Sequence, residues 1–270
     1  KLKAFGNNKN MSIRPPAVAG QFYPENPHEL KNLINDFLKK LSANLFVPAK
    51  IKTFIVPHAG YIYSGPVAAS AYQILSLSLW QPKKIILIGP SHHSPIVDFV
   101  FSSANQWETP LGKIPLYFPF KNKDDFIFDD LAFQFEHCLE VQLPFLQIIL
   151  SDFQILPILI NNENKSKKLA EIVNSVLDKE TLLIISSDLS HYYPLNVAEK
   201  IDAQTINIIL QLKTDEIENI NACGAPGILT LMYLAKELKW QTKLIDYQTS
   251  FNSSGDKNSV VGYSSFVFYE

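Results

Sequence analysis

The chain has 270 residues, 47% of them hydrophobic and 19% charged, with 24 basic against 26 acidic side chains and a formal charge of −2. That length suits one large α/β domain or two small ones, and the lysines are scattered rather than gathered into the basic stripe of a nucleic-acid binder. No apolar run approaches the roughly 20 residues needed to cross a bilayer, so neither nucleic acid nor membrane is an expected partner.

The opening KLKAFGNNKN is basic with no apolar run behind it, which is not the pattern of a secretory signal. Residues 1–11 read as a disordered extension and 12–270 as a single domain. Two cysteines are too few for a disulfide framework, and a reducing cytoplasm is the expected setting. Residues 28–41 place Leu30, Leu33, Ile34, Phe37, Leu38 and Leu41 at helical spacing, with Pro27 and Glu29 suited to the first turn. Residues 51–56 are apolar and β-branched, a strand stopped by Pro57. The small-residue run GPVAASAYQIL reads as a helix packed closely on a sheet.

Further strands are expected over 85–88, broken at Gly89-Pro90, then over 153–160, followed by a helix over 165–178, and over 182–186. Fully apolar strands alternating with helices predict an α/β fold, a mainly parallel central sheet flanked by helices. Ligands of such sheets bind beyond the carboxyl ends of the strands. Three of these strands run into PHAGY, GPSHH and SSDLSH, so His58, His92, His93, Asp188 and His191 are expected on one rim.

His is the commonest metal ligand, and a loop normally points only one of two adjacent histidines inward, which leaves His93 a substrate contact or a solvated residue. In EHCLE, His137 and Glu140 fall at i, i+3 of an apparent helix and could share a face toward the same site. A carboxylate there would orient a histidine. Cys223 in NACGAPG stands at the start of an apolar helix of roughly 226–239, where unpaired N–H groups favour a thiolate. Cys138 reads as a small buried apolar residue. Two histidines and one anionic ligand can hold a divalent transition metal with open positions.

The segments RPPAVAGQFYP (14–24), PHAGYIYSG (57–65), GPSHH (89–93), TPLG (109–112), EHCLEVQLPFL (136–146), LPILI (156–160), SSDLSH (186–191) and CGAPGI (223–228) together resemble the MEMO family. The resemblance implies a fold similar to the class III extradiol dioxygenases, non-haem Fe(II) enzymes that open catechol rings. It further implies a metal triad of His58, His92 and Cys223, with Asp188 and His191 in the same pocket and His191 as acid/base. The dioxygenases have a carboxylate where Cys223 falls, and a thiolate changes both the ligand field and the susceptibility to oxidation. The expected cofactor is a divalent or redox-active transition metal, Fe(II) first, with copper or zinc as alternatives. The expected activity is redox or oxygenase-type, the alternative being a non-catalytic module that binds a peptide or small ligand. Prokaryotic members are often encoded beside radical-SAM and AMMECR1-like proteins, which are the implied partners.

Overall fold

A two-residue strand, β1 (Ile13–Arg14), opens the computed structural model, which describes residues 12–40 and 46–270. The expected extension over 1–11 and the Leu41 end of the first helix lie outside the described residues. Helix α1 (Pro27–Lys39) begins where Asn26 accepts from the N–H groups of His28 and Glu29, the usual way an orphaned first turn is satisfied. After β2 (Ile51–Val56), helix α2 (Tyr61–Leu77) starts earlier than its small-residue run. Gly65 is what brings α1 close to it, because a Cβ there would lie 2.5 Å from the Phe37 ring.

Next come β3 (Lys84–Gly89), β4 (Phe99–Phe101), β5 (Gln106–Thr109) and β6 (Gly112–Pro115), then the short helices α3 (Asp130–Gln134) and α4 (Leu143–Ile149). β7 (Gln154–Ile160) is followed by α5 (Ser166–Asn174), which is shorter than the expected 165–178. The chain turns instead at Asp178, whose carboxylate accepts from the Glu180 N–H and the Thr181 hydroxyl. β8 (Thr181–Ser186), β9 (His191–Tyr193), α6 (Leu195–Leu210), α7 (Ala225–Leu238), β10 (Gln241–Thr249), α8 (Phe251–Ser254) and β11 (Val260–Tyr269) complete the chain.

The main sheet runs β10-β11-β2-β8-β3-β7-β4, with β9 hung on β11. Its centre, β2-β8-β3-β7, is parallel as expected. Its margins are antiparallel, β10 and β11 on one side and β4 on the other. A small second sheet, β1-β5-β6, packs its Trp107 and Ile114 into the core on one face of the main sheet. Alternate strand residues feed opposite cores: Ile85 and Leu87 pack with α1, α2 and α4, while Ile86 and Ile88 pack with α5, α6 and α7. A parallel sheet covered on both faces in this way leaves only its strand ends for chemistry. Among the described residues no helix is long and apolar enough to cross a membrane.

Candidate metal centre

β2 ends at Pro57-His58, β3 leads to Ser91-His92 and β8 to Ser187-Asp188, so three neighbouring parallel strands deliver polar residues to one rim. A cavity of about 860 Å³ opens there, floored by His58, His92, His137, Asp188, His191 and Cys223.

His58 is buried, and its tautomer follows from its neighbours. The Ser186 hydroxyl donates to the Cys138 carbonyl at 2.6 Å and accepts from the Gln142 amide at 2.8 Å. His58 Nδ1, 3.0 Å from the same oxygen, must therefore be the donor, which leaves the Nε2 lone pair free. Nε2 faces Cys223 Sγ at 3.2 Å. Burial, then the neighbouring His92, keep this imidazole neutral, its pKa lowered to about 3.

His92 is fixed by Glu136, which accepts from its backbone N–H at 2.6 Å and from its Nδ1 at 2.9 Å. Its free nitrogen is again Nε2. Glu136 also accepts the N–H groups of His137 and Cys138. Burial alone would raise this carboxyl, but the bonds from His92 and Cys138 overcome it and hold Glu136 well below the usual carboxylate range. His137 lies between Phe22 and His92, with ring centroids 4.5 and 4.6 Å away. Burial, then His58, lower its pKa to about 3.

Asp188 accepts from the His58 backbone N–H at 2.7 Å, and burial pushes its carboxyl up to about 6. Its own N–H points at Cys223 Sγ from 3.3 Å. Cys223 sits just ahead of α7, where burial, then Asp188, push the thiol up to about 12. A bound cation would reverse that and draw off the proton. Cys223 thus meets His58 directly. Cys138 is fully buried, its thiol against the Pro90 carbonyl at 3.1 Å.

Two expectations need correction. Glu140 does not line the cavity. It is fully buried beneath the rim, paired with Arg14 at 2.6 Å and accepting from the N–H groups of Ala17 and Val18 and the Tyr23 hydroxyl. The reason is local: a 3-10 segment begins at Glu140, and its carboxylate is drawn inward to Arg14 and the N-terminal segment instead of standing beside His137 at the cavity. The orienting carboxylate is Glu136, one residue before His137, a position the helical reading passed over. His93 is exposed and absent from the cavity lining, its ring 6.2 Å from that of His137. Phe22, in the FYP of the first motif, is a wall residue that sequence reasoning missed.

Donor atoms of His58, His92 and Cys223 all lie within 4.8 Å of one another. Two imidazoles, each anchored through Nδ1 with Nε2 uncommitted, and a thiol suit iron, copper or zinc, so the residues fit a metal ion. A second grouping of His92, Glu136 and His137 is equally tight, but the Glu136 oxygens are already engaged by His92 and by backbone N–H groups, the pattern of an orienting partner rather than a ligand.

A family model described as Memo-like protein matches residues 14–267. A MEMO1 family protein of Desulfurococcus amylolyticus is 36% identical, over 96% of this chain and 100% of its own length. One of Aquifex aeolicus shows the same identity and coverage. One of Thermoplasma volcanium is 36% identical over 94% of this chain and 98% of its own. The chain belongs to the Memo-like family, whose fold is class III extradiol dioxygenase-like.

Proposed function

We propose that His58, His92 and Cys223 hold a divalent or redox-active transition metal, Fe(II) first with copper or zinc as alternatives, for redox or oxygenase-type chemistry on a small molecule. The observation that carries this reading is the fixing of both imidazoles by their Nδ1 atoms, on Ser186 and Glu136, with the Nε2 of His58 turned to the Cys223 thiol and the donor atoms of all three residues within 4.8 Å of one another. Histidines held this way by polar partners are typical of metal ligands. A bound ion would supply Lewis acidity and, if iron or copper, one-electron chemistry.

The chain's own contribution is proton handling and shape. Asp188 and His191 both border the cavity beside the proposed ligands and are the groups to give or take a proton on a bound molecule. Phe22 and His137 meet in a tilted contact with ring centroids 4.5 Å apart, giving one side of the floor an aromatic edge. The radical-SAM and AMMECR1-like partners and the cytoplasmic setting belong to the same proposal and rest on the family resemblance.

A second reading is a non-catalytic pocket for a peptide or small ligand, favoured by a volume of about 860 Å³, within the range of small-molecule sites. Anaerobic purification followed by metal analysis by mass spectrometry separates the two. Near-stoichiometric metal in the wild type, lost in His58→Ala, His92→Ala and Cys223→Ala, is the expected result. A wild type that takes up no iron, copper or zinc after anaerobic reconstitution sinks the metal reading and leaves the binding pocket.

A further inference from the structure

The outer wall of the cavity is built differently from its floor. Tyr192 holds φ at 64°, in the left-handed region that is costly for a bulky side chain. The strand ladder shows how it gets there. His191 pairs with Val261 and Tyr193 with Val260, so Tyr192 is the extra residue of a β-bulge in β9. Glycine is the usual occupant of a left-handed bulge position.

A tyrosine stands there instead, and it gains no burial in return. Its side chain is 75% exposed and lines the cavity mouth, with its ring centroid 5.7 Å from that of His191. Backbone strain that stabilises no core contact collects at ligand-binding positions. Tyr63, 40% exposed, and Asp256 line the same cavity. Tyr263 lies among them: burial raises its phenol, and Asp188, Tyr63 and Tyr192 act in the same direction.

No lysine or arginine lines the cavity among the described residues. Aromatic faces and a carboxylate attract an organic cation, and the cavity lining offers an anion only its histidines. We propose that Tyr192, Tyr63 and Asp256 form an outer subsite for the ammonium end of an aromatic amine, with neutral analogues bound more weakly and anionic ones rejected. This deepens the metal-site reading and depends on it only for what happens at the floor, not for recognition at the wall.

The test is calorimetric titration with three phenols that differ in their tails: tyramine, 4-ethylphenol and 4-hydroxyphenylacetate, with O-phosphotyrosine as a fourth probe. Tyramine is expected to bind about three- to tenfold more tightly than 4-ethylphenol, and the two anions more weakly than either. Asp256→Asn should erase the tyramine preference and leave 4-ethylphenol unchanged. Tyr192→Asn, whose new side chain tolerates the left-handed region, should weaken tyramine binding while the thermal midpoint stays level or rises.

The proposal is overturned if an anion binds as tightly as tyramine, if no probe binds, or if neither variant alters tyramine binding. A midpoint that drops in Tyr192→Asn would make that tyrosine structural and overturn its role. Metal content is measured on the same samples. Tyramine preference in protein that takes up no metal would keep the subsite and sink the metal reading; metal uptake without that preference would do the reverse.

Discussion

Glu136 touches the candidate metal only through a histidine, since it accepts from both the ring and the backbone of His92. Glu136→Gln is therefore expected to weaken metal binding about 10–100-fold, measured by competition with a chelator of known affinity, with little change in the fold. Equal affinity in the variant would remove Glu136 from this role. Four residues on, Glu140 pairs with Arg14, and both are buried. Glu140→Ala leaves that guanidinium buried and unpaired, at a cost of about 3–5 kcal/mol, to be seen in urea unfolding. Its metal content per folded molecule should match the wild type. The two acids share one EHCLE segment, and residue spacing could not tell them apart. The distinction depends on which way each carboxylate turns, and for Glu140 that is set by Arg14, Ala17, Val18 and Tyr23 arriving from the far N-terminal side.

The element that carries Asp188 and His191 is the link from β8 to β9, and it is pinned from beneath. The Leu189 N–H donates to the Gly262 carbonyl at 2.8 Å, and the Gly262 N–H donates to the Ser190 carbonyl at 2.9 Å. Asp202 of α6, fully buried, accepts from the Ser190 N–H at 3.0 Å and from the Tyr247 hydroxyl at 2.8 Å. A Cβ at residue 262 would fall 2.0 Å from the Asp202 carboxylate. Gly262→Ala is accordingly expected to destabilise by about 1–3 kcal/mol and to shift the link. Adding Asp202→Ala should recover part of the loss, as residues in contact are coupled. Simple additivity of the two changes in thermal melts would refute the clash. The strand ends that hold His58, His92 and Asp188 were legible because each apolar run stops at Pro, Gly or Ser. The bulge at Tyr192 was not, for HYY has no glycine to announce a left-handed residue, and its cause is the pairing with β11.

Across the whole molecule, the parallel centre could be read from continuous apolar strands alternating with helices. The antiparallel margins and the small β1-β5-β6 sheet could not. β1 spans two residues and β5 and β6 four each, too few to set up a period. A metal bound across the ends of this sheet stabilises the fold as a unit. An ion that binds only the native state, at about a hundredfold its Kd, adds about 2.7 kcal/mol. That gain is expected in the wild type on titration with Fe(II), copper or zinc and absent in Cys223→Ala; equal gains in both would place the ion elsewhere.

His58 and Cys223, whose Nε2 and Sγ atoms face each other, stand 165 residues apart in the chain. The ribosome therefore releases both candidate histidine ligands long before the thiol that would join them, and a domain folds as a unit, here with the last strand, β11, paired to β2. A nascent chain halted before residue 223 can offer an incoming ion only two of its three proposed donors. If the proposed triad holds a metal, its acquisition is a late event tied to the completed chain, and a truncated translation product would compete poorly for scarce metal.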